Sequence, residues 1–443
     1  MAVPLVAAGF GLGVPRAAAP DDARPRRTPI SPRQEFLLGL RQLSECMDNR
    51  PESSDEALAA RVRRIGISVA DASDRPHVPW RFRVFDGGPL VVVRGSPGGQ
   101  VCISRRAAEL FDDDELAFVL GHEIAHVALR HRIVQISLEE LLREDPETGS
   151  PAIRTLVDTW AREDEPEADR YGALYAVRAG YRYSAAAGAL RELENRYGGS
   201  LEDATHPPPA ERIAALEAFR STLERSVEFF RLGVDALRAG RLADAETYLV
   251  GFVSEFPRSV AGHVDLGMVY LARVRARSGT PLGLSEVLPL IGEADVAIRG
   301  SFEGEDLELA DRHFARALEL DGEAPLALAG AALVALRRGA LREARSHIER
   351  AADLRPDDAE LLLCAGNVAF VERDFAEARR RYEAALATRP GWSAARHNLA
   401  LSLEQLGEPD AARAVWMQLV GDGRYGTVAA RHVALLSRPA ARD

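Results

Sequence analysis

The sequence predicts a mainly α-helical protein with one small β-sheet in its first half, followed by an all-α superhelix of helix pairs. Three observations carry that prediction. Several stretches space their apolar residues three and four apart, the mark of a helix buried along one face. Residues 80 to 104 alternate instead, as short strands do. From about residue 226 small residues return with a fixed period: Ala310, Ala344, Ala378 and Ala412 are each 34 apart.

Residues 33 to 70 supply the first helices, through Phe36, Leu37, Leu40 and Leu43, then Leu58, Val62, Ile65 and Val69. Trp80 to Phe85 alternates, Leu90 to Val93 is a continuous apolar run, and Gln100 to Ser104 follows a Gly98-Gly99 turn. The stretch "FDDDELAFVLGHEIAHVALRH" then carries a helix that Asp113 or Asp114 can cap, with apolar positions at 116, 119, 120, 124, 127 and 128.

In the second half, Pro356 and Pro390 are 34 apart, as are Gly233 and Gly267, and Phe314, Ile348, Tyr382 and Trp416 each sit four after an alanine. A 34-residue unit with small residues at a helix crossing resembles the tetratricopeptide repeat. Five units are expected, at 226–259, 260–324, 325–358, 359–392 and 393–426, with a C-terminal capping helix. The second holds 31 extra residues, an insertion at about 275–305. The expected domains are 1–32, a signal segment and linker; 33–225, a catalytic unit; and 226–443, the repeats.

Composition narrows the partners. A net charge of -11, with both signs spread along the chain, argues against nucleic acid. No apolar run reaches the roughly 20 residues that span a bilayer, which leaves only a peripheral contact with a membrane. The three cysteines, Cys46, Cys102 and Cys364, form no CxxC pair and read as small buried apolar residues. Met1 to Val14 is apolar, small residues follow at Ala17 to Ala19, and the positive start of a secretory signal is missing. The expectation is an exported protein, periplasmic or secreted, with a cytoplasmic one as the alternative.

The chemistry concentrates in "LGHEIAH", residues 120 to 126. Residues four apart on a helix share a face, so His122 and His126 can fix two corners of a tetrahedral zinc site. Glu123 points about 100° around, where it can take a proton from an activated water and pass it to a leaving amine. An HExxH match also arises by chance. Here the polar residues interrupt an apolar helix, and burying them without partners costs several kcal/mol. A metal removes that cost. Downstream, "REDEPEADRYGALYA" places Glu165 and Asp169 four apart, so a second helix can offer a ligand and a carboxylate that fixes a histidine tautomer. Taken alone, that stretch also reads as a solvated acidic helix start.

"LAFVLGHEIAHVALRH", "EPEADRYG", "AGYRYSAAAGALREL" and "THPPPAERI" together resemble, in order and spacing, the M48 zinc endopeptidases, whose members include a soluble periplasmic type with tetratricopeptide repeats. The resemblance covers roughly residues 75 to 220 and implies a zincin-like α+β peptidase domain. It implies one Zn2+ per chain on His122, His126 and Glu165, Glu123 as catalytic base and Asp169 behind a ligand. It also places His206 at the active site, on the oxyanion or as a reversible extra ligand, with Arg212 nearby. Two departures matter. Pro166 biases Glu165 toward the helix start and makes Glu167 a rival. Val91 to Arg94 replace the family's Asn-Ala pair before the glycine turn.

The expected function is a zinc-dependent endopeptidase acting on unfolded or misassembled proteins, with the repeats recruiting substrate or a protein partner. "GGQVCIS" is the expected edge strand for extended substrates. One alternative is a non-proteolytic or self-inhibited chaperone or scaffold using the repeat groove; another is a repeat scaffold with no metal. A fragment ending near residue 225 is expected to keep zinc unless "ERIAALEAFRSTLERSVEFFRLG", which reads as continuous helix, makes the two units share a core.

Overall fold

The computed structural model describes residues 30–48, 50–133, 151–197, 207–277 and 301–437. The proposed signal segment over 1–29, the core of the insertion over 278–300, and His206 lie outside the described residues.

Two helices open the fold, α1 (Pro32–Met47) and α2 (Glu56–Asp71). Ser31 starts α1 with a capping box to Gln34, and Asp55 starts α2 by accepting from the Leu58 N–H. The sheet follows: β1 (Arg81–Phe85), β2 (Val93–Ser96) and β3 (Gln100–Ser104). Its order is β1-β3-β2, with β3 parallel to β1 and antiparallel to β2. The "GGQVCIS" segment is therefore central, and the expectation of an edge strand there is corrected. All five residues of β3 are buried, so both of its sides are taken. The edges are β1 and β2, and β2 starts only at Val93. Val92 before it pairs irregularly with Ser104, donating to its Oγ at 3.2 Å and accepting from its N–H at 2.9 Å.

A short α3 (Arg105–Leu110) leads to α4 (Asp113–Ala128). The cap of α4 is Asp112, not Asp113 or Asp114. Asp112 accepts from the Glu115 N–H and Glu115 accepts from the Asp112 N–H, a reciprocal capping box. Asp113 and Asp114 instead hold Arg61 and Arg182, each at 2.6 Å. Then come α5 (Pro151–Arg178) and α6 (Ser184–Tyr197).

The cysteine reading is corrected for Cys46 and Cys102 and holds for Cys364. Cys46 of α1 and Cys102 of β3 form a disulfide, and Cys364 is free and buried. The bond fastens α1 onto the sheet, where Leu43, Phe85 and Cys102 make a small apolar cluster.

Among the described residues, ten of the remaining helices pack in consecutive pairs and an eleventh closes the array: α7 (Pro209–Arg238), α8 (Leu242–Glu255), α9 (Val260–Arg277), α10 (Ser301–Leu320), α11 (Pro325–Arg337), α12 (Leu341–Leu354), α13 (Ala359–Val371), α14 (Phe375–Thr388), α15 (Ser393–Gln405), α16 (Pro409–Met417) and last α17 (Gly426–Leu436). Ala245, Ala310, Ala344, Ala378 and Ala412 are fully buried. A Cβ on Gly233, Gly267 or Gly366 would meet the Leu249, Phe314 or Tyr382 side chain at 2.6, 2.6 or 2.4 Å. The 34-residue period thus pairs a small residue on one helix with a large one on the next.

The two halves share a core. Helix α7 runs through the proposed boundary at residue 225. Phe252 and Phe256 of α8 and its end join the buried cluster around α2, α4 and α5. Phe256 meets Tyr171 edge-on, with ring centroids 5.1 Å apart. Asp74 accepts from Tyr175 Oη at 2.9 Å, Ser259 Oγ at 2.8 Å and the Ala261 N–H at 3.1 Å.

Candidate active site

Helices α4 and α5 cross at two glycines. A Cβ on Gly172 would lie 2.6 Å from the His122 nitrogen, and one on Gly121 would lie 2.7 Å from the Gly172 oxygen. No larger residue permits that approach, and it sets the histidines of α4 against the carboxylates of α5.

His122 Nε2 and His126 Nε2 stand 3.1 Å apart. Glu165 reaches both, with Oε1 at 3.1 Å from His126 Nε2 and Oε2 at 3.4 Å from His122 Nε2. One ligand atom from each of the three residues lies within 4.8 Å of the others, and all three residues are buried. Glu165 lies inside α5, not at its start, which corrects the expectation drawn from Pro166. A proline costs the helix one backbone hydrogen bond, and here the helix continues through it. Glu167 faces away from this trio and pairs with His131 Nε2 at 3.0 Å and Arg258 Nη1 at 2.6 Å.

Behind the trio, Asp169 Oδ1 sits 3.0 Å from His122 Nδ1. Arg212 of α7 grips Asp169 through both oxygens, Nε to Oδ2 at 2.9 Å and Nη2 to Oδ1 at 2.6 Å. This forked pairing is the geometry at which arginine excels. Glu123 Oε2 accepts from the Gly95 N–H of β2 at 2.6 Å, and Arg132 Nη2 lies 3.6 Å from the same oxygen. Nothing larger than glycine fits at 95, since a Cβ there would meet the Glu123 carbonyl oxygen at 2.5 Å.

The charges are set by these neighbours. Burial pushes the Glu165 carboxyl up, but His122 and His126 outweigh it and hold it well below the usual range. Burial likewise opposes ionisation of Asp169, and Arg212 and His122 overcome it. For Glu123, burial is outweighed by Arg132, the two histidines and the Gly95 N–H. Burial also disfavours a charged His122, yet Glu165 and Asp169 lift it to about 9; His126, where burial dominates, falls to about 4.

Sequence reading picked out His122, Glu123, His126, Glu165, Asp169 and Arg212, and these sit together. It passed over Gly95, His131, Arg132 and Arg258. His131 lies five residues after His126, off the helical face. Arg130, with φ at +60°, turns the chain after α4 and brings His131 Nδ1 to 3.1 Å from His126 Nδ1.

Two histidines one turn apart, a glutamate beside them and a carboxylate from a crossing helix define a metallopeptidase type of site. The chain carries a domain of peptidase family M48, matched over residues 56–144 and 148–220, and tetratricopeptide repeats, matched over 230–276, 301–359 and 365–420. It is 23% identical over 221 residues to the beta-barrel assembly-enhancing protease of Escherichia coli (strain K12), covering 44% of this chain and 45% of that protein. It is 28% identical over 178 residues to the mitochondrial metalloendopeptidase OMA1 of Arabidopsis thaliana, covering 37% of this chain and 35% of that protein. The chain thus spans less than half the length of these curated relatives. Among solved structures it is similar to a thermophilic TPR protein from Thermus thermophilus, at a TM-score of 0.33 and 18% identity, covering 52% of this chain and 94% of that one.

Proposed function

We propose that this protein is a zinc-dependent endopeptidase that cleaves unfolded or misassembled proteins, its repeats recruiting substrate or a protein partner. The observation that carries the reading is the convergence of His122 Nε2, His126 Nε2 and the Glu165 carboxylate within 4.8 Å at a buried helix crossing. Two imidazole nitrogens and one carboxylate oxygen are a donor set that suits catalytic zinc, with three protein ligands. Such an ion supplies Lewis acidity and a water nucleophile near neutral pH.

The chain's own groups supply the rest. Glu123 takes the proton of the attacking water and delivers it to the leaving amine. Gly95 N–H and Arg132 hold that carboxylate ionised and aimed. Asp169 accepts from His122 Nδ1–H and fixes its tautomer, and Arg212 locks Asp169 in turn. On this reading Arg212 positions the site and does not touch the reacting atoms. His206 we assign to the oxyanion or to a reversible fourth ligand position, on the strength of the family resemblance.

Strand β2 is the sheet edge beside Glu123, so an extended substrate adds there. Such docking reads backbone more than side chains and favours unfolded chains. The E. coli relative's name suggests assembly of β-barrel proteins as the first substrate class to test. The disulfide between Cys46 and Cys102 supports an oxidising compartment, periplasmic or extracellular. Among the described residues no helix is long and apolar enough to cross a membrane.

The test is zinc content together with cleavage of a reduced, carboxymethylated protein. Glu123→Gln should keep one zinc per chain and lose cleavage; His122→Ala or Glu165→Ala should lose the zinc. Absence of a stoichiometric site after zinc reloading overturns the reading.

A further inference from the structure

Behind His126 lies a second group of ionisable side chains, His131, Asp164 and Glu167, close enough to one another to suggest another cation site. A cation is already there. Arg258 Nη1 lies 2.6 Å from Glu167 Oε2 and 3.5 Å from His131 Nε2, and its Nη2 donates to the Leu129 carbonyl at the end of α4. Arg258 belongs to the repeat region, in the loop between α8 and α9. The loop is pinned on both sides of the side chain's root: the Arg258 N–H donates to Tyr171 Oη at 2.8 Å, and the next residue, Ser259, donates through its hydroxyl to Asp74.

The hydrogen bonds between Arg258 and His126 run in one consistent direction. If His126 presents Nε2 to a metal, its proton sits on Nδ1. That Nδ1–H faces His131 Nδ1 at 3.1 Å, so His131 must accept there and carry its own proton on Nε2. The His131 Nε2–H then donates to Glu167 Oε2 at 3.0 Å. Glu167 Oε2 accepts from both sides, since Arg258 Nη1 reaches the same oxygen at 2.6 Å. The His131 side chain is fully buried, so no water takes its place between His126 and Glu167.

We propose that Arg258 is a positioning residue for the metal centre, acting through Glu167 and His131 to fix the tautomer and orientation of His126. The first repeat unit thereby sets the metal affinity of the peptidase unit, and a partner that shifts the α8–α9 loop changes that affinity. This rests on the reading of His122, His126 and Glu165 as zinc ligands.

The test is a double-mutant cycle on zinc affinity in the full chain, measured by competition between the protein and a chelator of known affinity. Arg258→Met and His131→Phe should each weaken zinc binding about 10- to 100-fold, the range for outer partners of a ligating histidine. The double variant should bind no more weakly than His131→Phe alone, because Arg258 acts through His131. Ser259→Ala, which loosens the same loop at Asp74, should leave zinc affinity within about threefold of the parent and separates positioning from general loosening. If His131→Phe does not fold, Glu167→Gln takes its place in the cycle with the same expectation. Unchanged affinity in Arg258→Met, or losses that multiply in the double variant, overturns the proposal while the ligand reading stands. A parent chain that takes up no zinc overturns both.

Discussion

Gly121 and Gly172 touch backbone to backbone, and their contact is what brings the histidines of α4 within reach of the carboxylates of α5. A methyl on Gly172 would enter the His122 amide at 2.6 Å and the Gly121 carbonyl carbon at 2.8 Å, neither of which can rotate away. Gly172→Ala should therefore push the helices apart, costing on the order of 1–3 kcal/mol of stability as other overpacked contacts do. The same displacement should weaken zinc binding at least tenfold. Thermal melting and a zinc titration check this together; a variant with parent-like zinc affinity would mean that the ligands tolerate a wider crossing.

Gly95 links the sheet edge to the catalytic candidate. A Cβ there would strike the Glu123 carbonyl oxygen at 2.5 Å, and moving β2 to relieve it breaks the Gly95 N–H bond to Glu123 Oε2. Gly95→Ala should keep its zinc and lower kcat at least tenfold on an unfolded substrate. A variant that loses zinc as readily as activity would show that β2 supports the ligands and not Glu123.

How much of this was legible in the sequence depends on range. The apolar stripes of α2 and α4 and the 34-residue period are local and appear as written, whereas in α1 the helix forms but Leu37 faces out and only Leu43 of the stripe is buried. His122 and His126 share a face because four residues make a turn. Strand order is not local: alternation around Gln100–Ser104 marked a strand, and only its full burial on both sides shows it to be central. The Cys46–Cys102 bond spans 56 residues with no signal at either end, and Arg258 meets Glu167 across 91. Pro166 misled in the opposite way, because a helix packed on either side of it, at Ala161 and Ala168, absorbs the loss of one hydrogen bond.

The disulfide carries a further expectation. Closing a loop of this length removes conformational freedom from the unfolded chain, worth typically about 2–4 kcal/mol. Cys46→Ser, or melting under a thiol reductant, should lower Tm accordingly, and Cys364→Ser should not, beyond a packing cost at its buried site. An equal effect of reductant on parent and Cys46→Ser proteins would count against the bond.

Glu35 makes stability depend on pH in a defined direction. It is buried against Arg75 at 2.7 Å and Arg130 at 3.3 Å, while Arg75 also faces Asp321 of the second repeat unit at 3.5 Å. Burial raises the Glu35 carboxyl, and the two arginines more than reverse it, leaving it below 4.5. A lowered carboxylate stabilises the fold above its ordinary value, and that contribution disappears as pH falls through the folded value. Glu35→Gln should therefore cost about 3 kcal/mol at pH 7, as breaking a buried pair does. The gap should close well below pH 4.5, where the parent carboxyl is protonated too. Urea melts at neutral pH and in acid well below that value compare the two, and a gap of the same size in both would remove Glu35 ionisation as the cause.

A fragment ending near residue 225 should not behave as an independent peptidase. It would cut α7 in its middle, leave Tyr171 and Phe219 without Phe256, leave Asp74 without Ser259 and Ala261, and leave Glu167 with His131 but without Arg258. Phe252 and Phe256 are fully buried, and removing two such rings exposes apolar surface worth roughly 1.5–3 kcal/mol each. Together these losses rival the whole stability of a domain, about 5–15 kcal/mol. The fragment is expected to be insoluble or to bind zinc poorly. Extending it to residue 277 restores both phenylalanines, Arg258 and Ser259, and should recover solubility and most zinc affinity, while Arg75 still lacks Asp321. Zinc titration of the two fragments beside the full chain decides this. Parent-like zinc affinity in the shorter fragment would make the repeats a detachable recruiting arm; recovery only in the longer one makes the first repeat unit part of the peptidase itself.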